Sequence, residues 1–253
     1  MARALNPGFE KRMRGGMPYV RCKLAASLDG RTSMASGESV WITSADARRD
    51  VHRLRARSSA VVTGIGTVLA DNPSMNVRLS SNEFPALWPN ERPRQPLRVV
   101  VDTHLRMPVE ARMLQLPGAT LIATCEDSPR AIARANAAGA EVQVFPAAPS
   151  GGVDLHVLLC YLAEREINEV LIEAGPTLAG AALQAGLVDE LLIYQAPHLM
   201  GDSARGLFHL PGLDTMQQRI PLKFTDVRQI GIDLRLTLIP VRDDQPRNRM
   251  CEI

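Results

Sequence analysis

Short apolar runs alternate with helix-patterned segments from residue 19 to residue 197, and this alternation restricts the possible folds more than any other feature. Strands are expected at 19–25, 60–63, 97–102, 120–124, 141–145, 170–174 and 190–197. Helices are expected at 43–57, 128–138 and 154–164, with a small-residue helix after Gly175-Pro176-Thr177. Strands that alternate with helices pair in parallel and are covered on both faces, because each crossover lays a helix on the sheet. Two further runs, 224–230 and 234–240, flank Gly231-Ile232-Asp233 and read as a terminal antiparallel hairpin. The fold class is therefore α/β, a mostly parallel sheet closed by a C-terminal hairpin.

No composition shift marks a second domain. Residues 1–17 are basic and glycine-containing and read as a linker-like leader, 18–240 as one domain, and 241–253 as a polar, frayed tail. The stretch 80–96, with prolines at 85, 89, 93 and 96, reads as a long loop. With 253 residues, 45% of them hydrophobic, the chain can bury a sizeable core. A net charge of +2 calls for neither nucleic acid nor a membrane surface as partner. No apolar run approaches a membrane span or a signal peptide. The four cysteines, Cys22, Cys125, Cys160 and Cys251, show no zinc-ligand spacing, and they fit a reducing cytosol better than a disulfide framework. The five histidines are spread out and show no partners by spacing.

Ligands of open α/β sheets bind at the carboxyl ends of the strands, and two strand ends carry glycines. At Gly64-Ile65-Gly66-Thr67 a G-x-G turn lacks the third glycine of the dinucleotide fingerprint. Close strand–loop packing and ligand approach explain that segment equally well. At Glu173-Ala174-Gly175-Pro176-Thr177 a strand passes straight into a helix, with proline at the first helical position. Unpaired N–H groups and the helix dipole there attract phosphate, and Ala179-Gly180-Ala181 leave room beside it. The alternative is a tight helix–sheet contact that needs small residues. Lys23, one of only three lysines, interrupts an apolar strand, so it either snorkels from an edge or reaches into a site. Asp29-Gly30 reads first as a turn.

Together these segments resemble the reductase domain of the bifunctional riboflavin-biosynthesis deaminase/reductase. The resemblance rests on residues 23–31 (KLAASLDGR), 36–43 (SGESVWIT), 64–73 (GIGTVLADNP), 173–180 (EAGPTLAG) and 196–201 (APHLMG), in that order. It implies a dihydrofolate-reductase-like fold, a cytoplasmic homodimer, and NADPH as hydride donor. The implied reaction reduces the ribosyl group of 5-amino-6-(5-phosphoribosylamino)uracil to a ribityl group, by hydride transfer to C1 after the sugar opens.

The resemblance also assigns roles. Ala25, Trp41, Thr67, Asp71, Thr103 and the run Gly175, Pro176, Thr177, Leu178, Ala179, Gly180 and Ala181 match cofactor-contact positions. Ser39, Arg55, Met75, Arg78 and Glu173 match substrate-contact positions, and Lys23 matches a lysine that reaches the ribose end. Lys23 and Glu173 are the expected catalytic pair. Guanidinium groups at 55 and 78 suit a terminal phosphate. The H-x-E and P-C-x-x-C motifs of a zinc deaminase are not in the sequence, so neither deaminase activity nor a metal is expected of this stretch. Two rival readings keep part of the pattern: a dihydrofolate-reductase-like enzyme acting on a pterin, and a non-catalytic nucleotide-binding domain.

Overall fold

A computed structural model describes residues 5–80, 83, 94–241 and 251. The elements in chain order are α1 (Pro7–Gly15), β1 (Tyr19–Ser27), β2 (Arg31–Ser33), α2 (Ala45–Arg57), β3 (Ala60–Gly64), α3 (Ile65–Asp71), β4 (Leu97–Val101), β5 (Thr120–Thr124), α4 (Pro129–Ala137), β6 (Glu141–Val144), α5 (Leu155–Glu164), β7 (Glu169–Glu173), α6 (Pro176–Gln184), β8 (Glu190–Ala196), β9 (Arg205–Gly206), β10 (Leu222–Ile230) and β11 (Asp233–Pro240). The chain divides into two compact units. The first holds Met1–Tyr19, Val51–Leu171 and Met250–Ile253, and the second Val20–Asp50 and Ile172–Arg249.

In the first unit the strand order is β7-β3-β4-β5-β6. The pairs β3–β4, β4–β5 and β5–β6 are all parallel. Val99, Val100, Leu121 and Ala123 are wholly buried, as expected of strands covered on both faces. Local chemistry sets the helix starts. Ser128 caps α4, which has proline in its first turn. The Asp154 carboxylate caps α5 by accepting from the N–H groups of His156 and Val157.

The second unit has the order β10-β11-β8-β1, with the last two residues of β7 beside β1. The β1–β8 pair is parallel, whereas β8–β11 and β10–β11 are antiparallel. A separate pair, β2 with β9, is antiparallel. The mostly parallel sheet and the closing antiparallel hairpin expected from the sequence are both present.

Four expectations are corrected. The segment read as a leader contains helix α1. Asn6 caps it, and Gly16 ends it in the left-handed conformation. Its buried Gly8 lies so close to Asn168 and Glu169 that a Cβ would overlap them. The Gly64 turn is in fact the N-cap of a helix, since Ile65 and Val68, three apart, bury one face of α3. Cys160 and Cys251 form a disulfide, although they are 91 residues apart, because α5 and the tail residue meet beside Met17. Among the histidines, Nδ1 of His52 accepts from the Arg78 N–H, and Nδ1 of His156 lies 3.8 Å from Sγ of Cys160. The expected loop at 80–96 falls mostly, and the tail largely, outside the described residues.

Candidate active site

The first unit gathers three of the expected substrate residues around α2. After α3 the chain turns through two left-handed residues, Asn72 at φ 40° and the buried Met75 at φ 50°. Asparagine tolerates that region well, and its side chain accepts the Arg112 N–H at 2.8 Å. The next residues run along α2. The Arg55 guanidinium donates to the Asn76 carbonyl at 3.1 Å, and the Arg78 N–H donates to Nδ1 of His52 at 3.2 Å. His52 and Arg55 are three residues apart, so they share a helix face. Arg55, Met75 and Arg78 are thus brought together, with the Arg78 side chain exposed. His52 was missed by sequence reasoning; its only signal was its spacing from Arg55.

Thr67 and Asp71 lie on α3, half-buried and exposed respectively. Thr103 follows β4, and its carbonyl accepts from the Cys125 N–H and the Thr124 hydroxyl. Thr67 and Thr103 therefore stand just past the carboxyl ends of two adjacent parallel strands. The neighbouring Asp102 is wholly buried; burial pushes its carboxyl group up, against the Met107 N–H that it accepts at 2.8 Å.

The second unit holds the other residues. Lys23 is half-buried on β1, its Nζ 5.9 Å from the Tyr194 ring centroid. Beside it in sequence, burial pushes the Cys22 thiol up to about 12, so that cysteine is inert at neutral pH. Glu173 is buried at the end of β7, next to β1. Ala25 and Ser39 are half-buried. Trp41 is 68% exposed, its ring covered on one side by the Arg48 guanidinium at 4.3 Å.

Helix α6 begins at Pro176 with Gly175 as N-cap, and Gly175 and Thr177 are exposed. A cleft of about 400 Å³ opens there, lined by Pro176, Thr177, Arg205, Gly206, Phe208 and His209. The His209 N–H donates to the Pro176 carbonyl at 3.1 Å, which ties the lining segment to the helix start. The packing alternative holds for the body of the helix. Ala179 and Gly180 are buried, and a Cβ on Gly180 would overlap the His209 carbonyl oxygen. The exposed residues at the helix start are the ones open to a ligand. Arg205, Phe208 and His209 were missed because their stretch has no periodic pattern.

The structure is thus an α/β protein with an exposed helix start beside Arg205 in one unit, and Arg55 on α2 with Arg78 next to it in the other. The chain belongs to the family of the RibD C-terminal domain, whose model matches residues 18–236. It is 48% identical to the riboflavin biosynthesis protein RibD of Escherichia coli (strain K12) over 240 residues, 94% of this chain and 64% of that protein. It is 35% identical to the 5-amino-6-(5-phosphoribosylamino)uracil reductase of Buchnera aphidicola subsp. Acyrthosiphon pisum (strain APS), over 82% of this chain and 99% of that one. The solved structure of Acinetobacter baumannii RibD, form 1, superposes with a TM-score of 0.83 at 42% identity, covering 95% of this chain and 63% of that one. The chain thus spans somewhat less than two thirds of these RibD relatives. Among the described residues there is no helix long and apolar enough to cross a membrane.

Proposed function

We propose that this chain catalyses the NADPH-dependent reduction of 5-amino-6-(5-phosphoribosylamino)uracil to its ribityl counterpart in riboflavin biosynthesis. The observation that carries the reading is the grouping of Arg55, Met75 and Arg78 by α2. Two guanidinium groups, one on α2 and one on the segment that returns beside it, suit a ribose phosphate, which a pterin lacks. The Buchnera relative, matched over 99% of its length, carries that activity in its name.

NADPH fits the second unit on the geometry of α6. The helix start presents backbone N–H groups and the positive dipole end to the cleft, and Arg205 adds a fixed charge. Gly175, Pro176 and Thr177 would hold phosphate oxygens, whereas Leu178, Ala179, Gly180 and Ala181 set how the helix packs. Ala25 and Trp41 of the same unit would complete those contacts, while Thr67, Asp71 and Thr103 are cofactor-contact positions of the first unit by resemblance. When bound, the reduced nicotinamide supplies the hydride for C1 of the opened sugar. Lys23 and Glu173 would orient the sugar hydroxyls and hold protons there, and Ser39 would hold the substrate.

A homodimer goes with this reading. Phe224 and Val227 on β10 are 58% and 56% exposed, and such side chains on an outer strand favour burial by a second copy. A cytoplasmic setting goes with it too, since the reaction consumes NADPH. The test mixes purified chain, NADPH and the ribosylamino-pyrimidine and follows the absorbance of the reduced nicotinamide. Consumption of NADPH matched by ribityl product supports the reading. Binding with no oxidation supports a non-catalytic nucleotide-binding domain instead.

A further inference from the structure

Tryptophan carries a large apolar surface, and in the second unit Trp41 keeps it 68% exposed. An indole on a free segment in water would pass among several rotamers. The chain around Trp41 restrains it. The Ser44 N–H donates to Oδ2 of the wholly buried Asp233 at 2.8 Å, which pins the segment to the start of β11. The Ser44 hydroxyl accepts the Ala47 N–H at 3.3 Å and so caps α2. One turn into the helix, Arg48 sends its guanidinium back over the residues before the cap. It donates to the Thr43 carbonyl at 2.6 Å, and its Cζ lies 4.3 Å from the centroid of the Trp41 ring, within cation–π range. One face of the indole is therefore covered by a cation that is itself tied to the backbone two residues further on.

We propose that Arg48 is a positioning residue: it holds the Trp41 ring ready as a platform on which a flat ring of the dinucleotide cofactor stacks. The proposal rests on the reading of Trp41 as a cofactor contact given above and extends it. A guanidinium is planar and stacks on aromatic faces, while an N–H at its edge bonds the Thr43 carbonyl. A lysine in its place would keep the charge but lose the plane. Holding the indole in advance removes part of the ordering cost that a ligand would otherwise meet on binding. Stacking on an indole asks little of the partner except a flat ring, as nucleobases show. The fitting chemical class is thus an aromatic ring of a nucleotide. The cofactor and the pyrimidine of the substrate both carry one, and the test separates them.

The test is a double-mutant cycle in the full chain, read by equilibrium titration with NADPH and by time-resolved fluorescence anisotropy. The anisotropy is measured with Trp88→Phe, which leaves Trp41 as the single indole of a sequence that has two. Arg48→Ala should let the indole rotate faster on the nanosecond scale and weaken NADPH binding about fivefold. Arg48→Lys should fall between Arg48→Ala and the parent in both readouts. Trp41→Leu should weaken NADPH binding about tenfold. In that background Arg48→Ala should cost nothing further, because the residue through which Arg48 acts is gone. The KM for the ribosylamino-pyrimidine should not move in any variant. If Arg48→Ala fails to fold, Arg48→Lys carries the cycle. An arginine effect of the same size in both backgrounds, no effect in either, or an indole that moves no faster without Arg48 overturns the proposal and leaves the reading of Trp41 standing. A Trp41→Leu chain that binds NADPH as tightly as its parent, or that raises only the KM for the pyrimidine, overturns that reading and the proposal together.

Discussion

The carboxylate of Asp29 accepts a 2.8 Å hydrogen bond from the backbone N–H of Gly201, a glycine held in the left-handed region at φ 88°. It also accepts from the Ser27 hydroxyl and from the Met200 N–H. The Ser27 hydroxyl first, then the two N–H groups, lower its carboxyl to about 2. An unfolded aspartate titrates near about 3.9, so the folded form binds its proton less readily. The stability that follows is complete above that value and fades as pH falls toward about 2. Urea unfolding of wild type and Asp29→Asn across this window should give curves that converge as the pH falls. Curves that stay parallel would show that these bonds favour neither protonation state.

Removal of the Arg78 guanidinium tests the phosphate assignment. Arg78→Ala should raise KM for the phosphorylated substrate by about tenfold or more, the worth of a lost charge-assisted contact. The KM for NADPH should stay where it is. A substrate KM that does not change would place the phosphate elsewhere.

Two glycine-to-alanine changes should move stability in opposite directions. A Cβ on Gly180 would overlap the His209 carbonyl, so Gly180→Ala should destabilise by about 1–3 kcal/mol and loosen the cleft lining. Gly66 in α3 has no neighbour within 4 Å of an added Cβ. Gly66→Ala should be neutral or stabilise by up to about 1 kcal/mol. Midpoints of chemical denaturation decide both.

The Cys160–Cys251 disulfide closes a long loop, since its ends are 91 residues apart. Cys251→Ser should cost about 2–4 kcal/mol under oxidising conditions. A reductant should erase the difference between variant and wild type. Thiol counting on the denatured oxidised wild type should find only Cys22 and Cys125 reactive.

Most strands and helices were legible in the sequence because their boundaries are written in local chemistry. Ser128, Asp154 and Pro176 each start a helix where their side chains permit it, and the apolar runs between them have the length of buried strands. The site was legible only in its strand-borne parts. Nothing local says that residues 75–78 return to α2, so the contacts of His52 could not be foreseen. Arg205 and His209 reach the cleft from a stretch without periodicity. The disulfide depends on tertiary proximity across 91 residues, which spacing does not encode. Helix α1 was hidden because its chief fixed point is a glycine whose missing side chain lets it sit against Asn168 and Glu169.

That last contact has a practical consequence for anyone trimming the gene. The Arg12 guanidinium donates to the Asn168 side chain at 2.7 Å, and the disulfide-bonded Sγ of Cys251 lies 3.2 Å from the Gly16 carbonyl oxygen. A shortened version starting at Pro18, where the family match begins, would strip the cover from the turn before β7. It would expose the sulfur bridge as well, and its loss of solubility could be mistaken for a defect in catalysis.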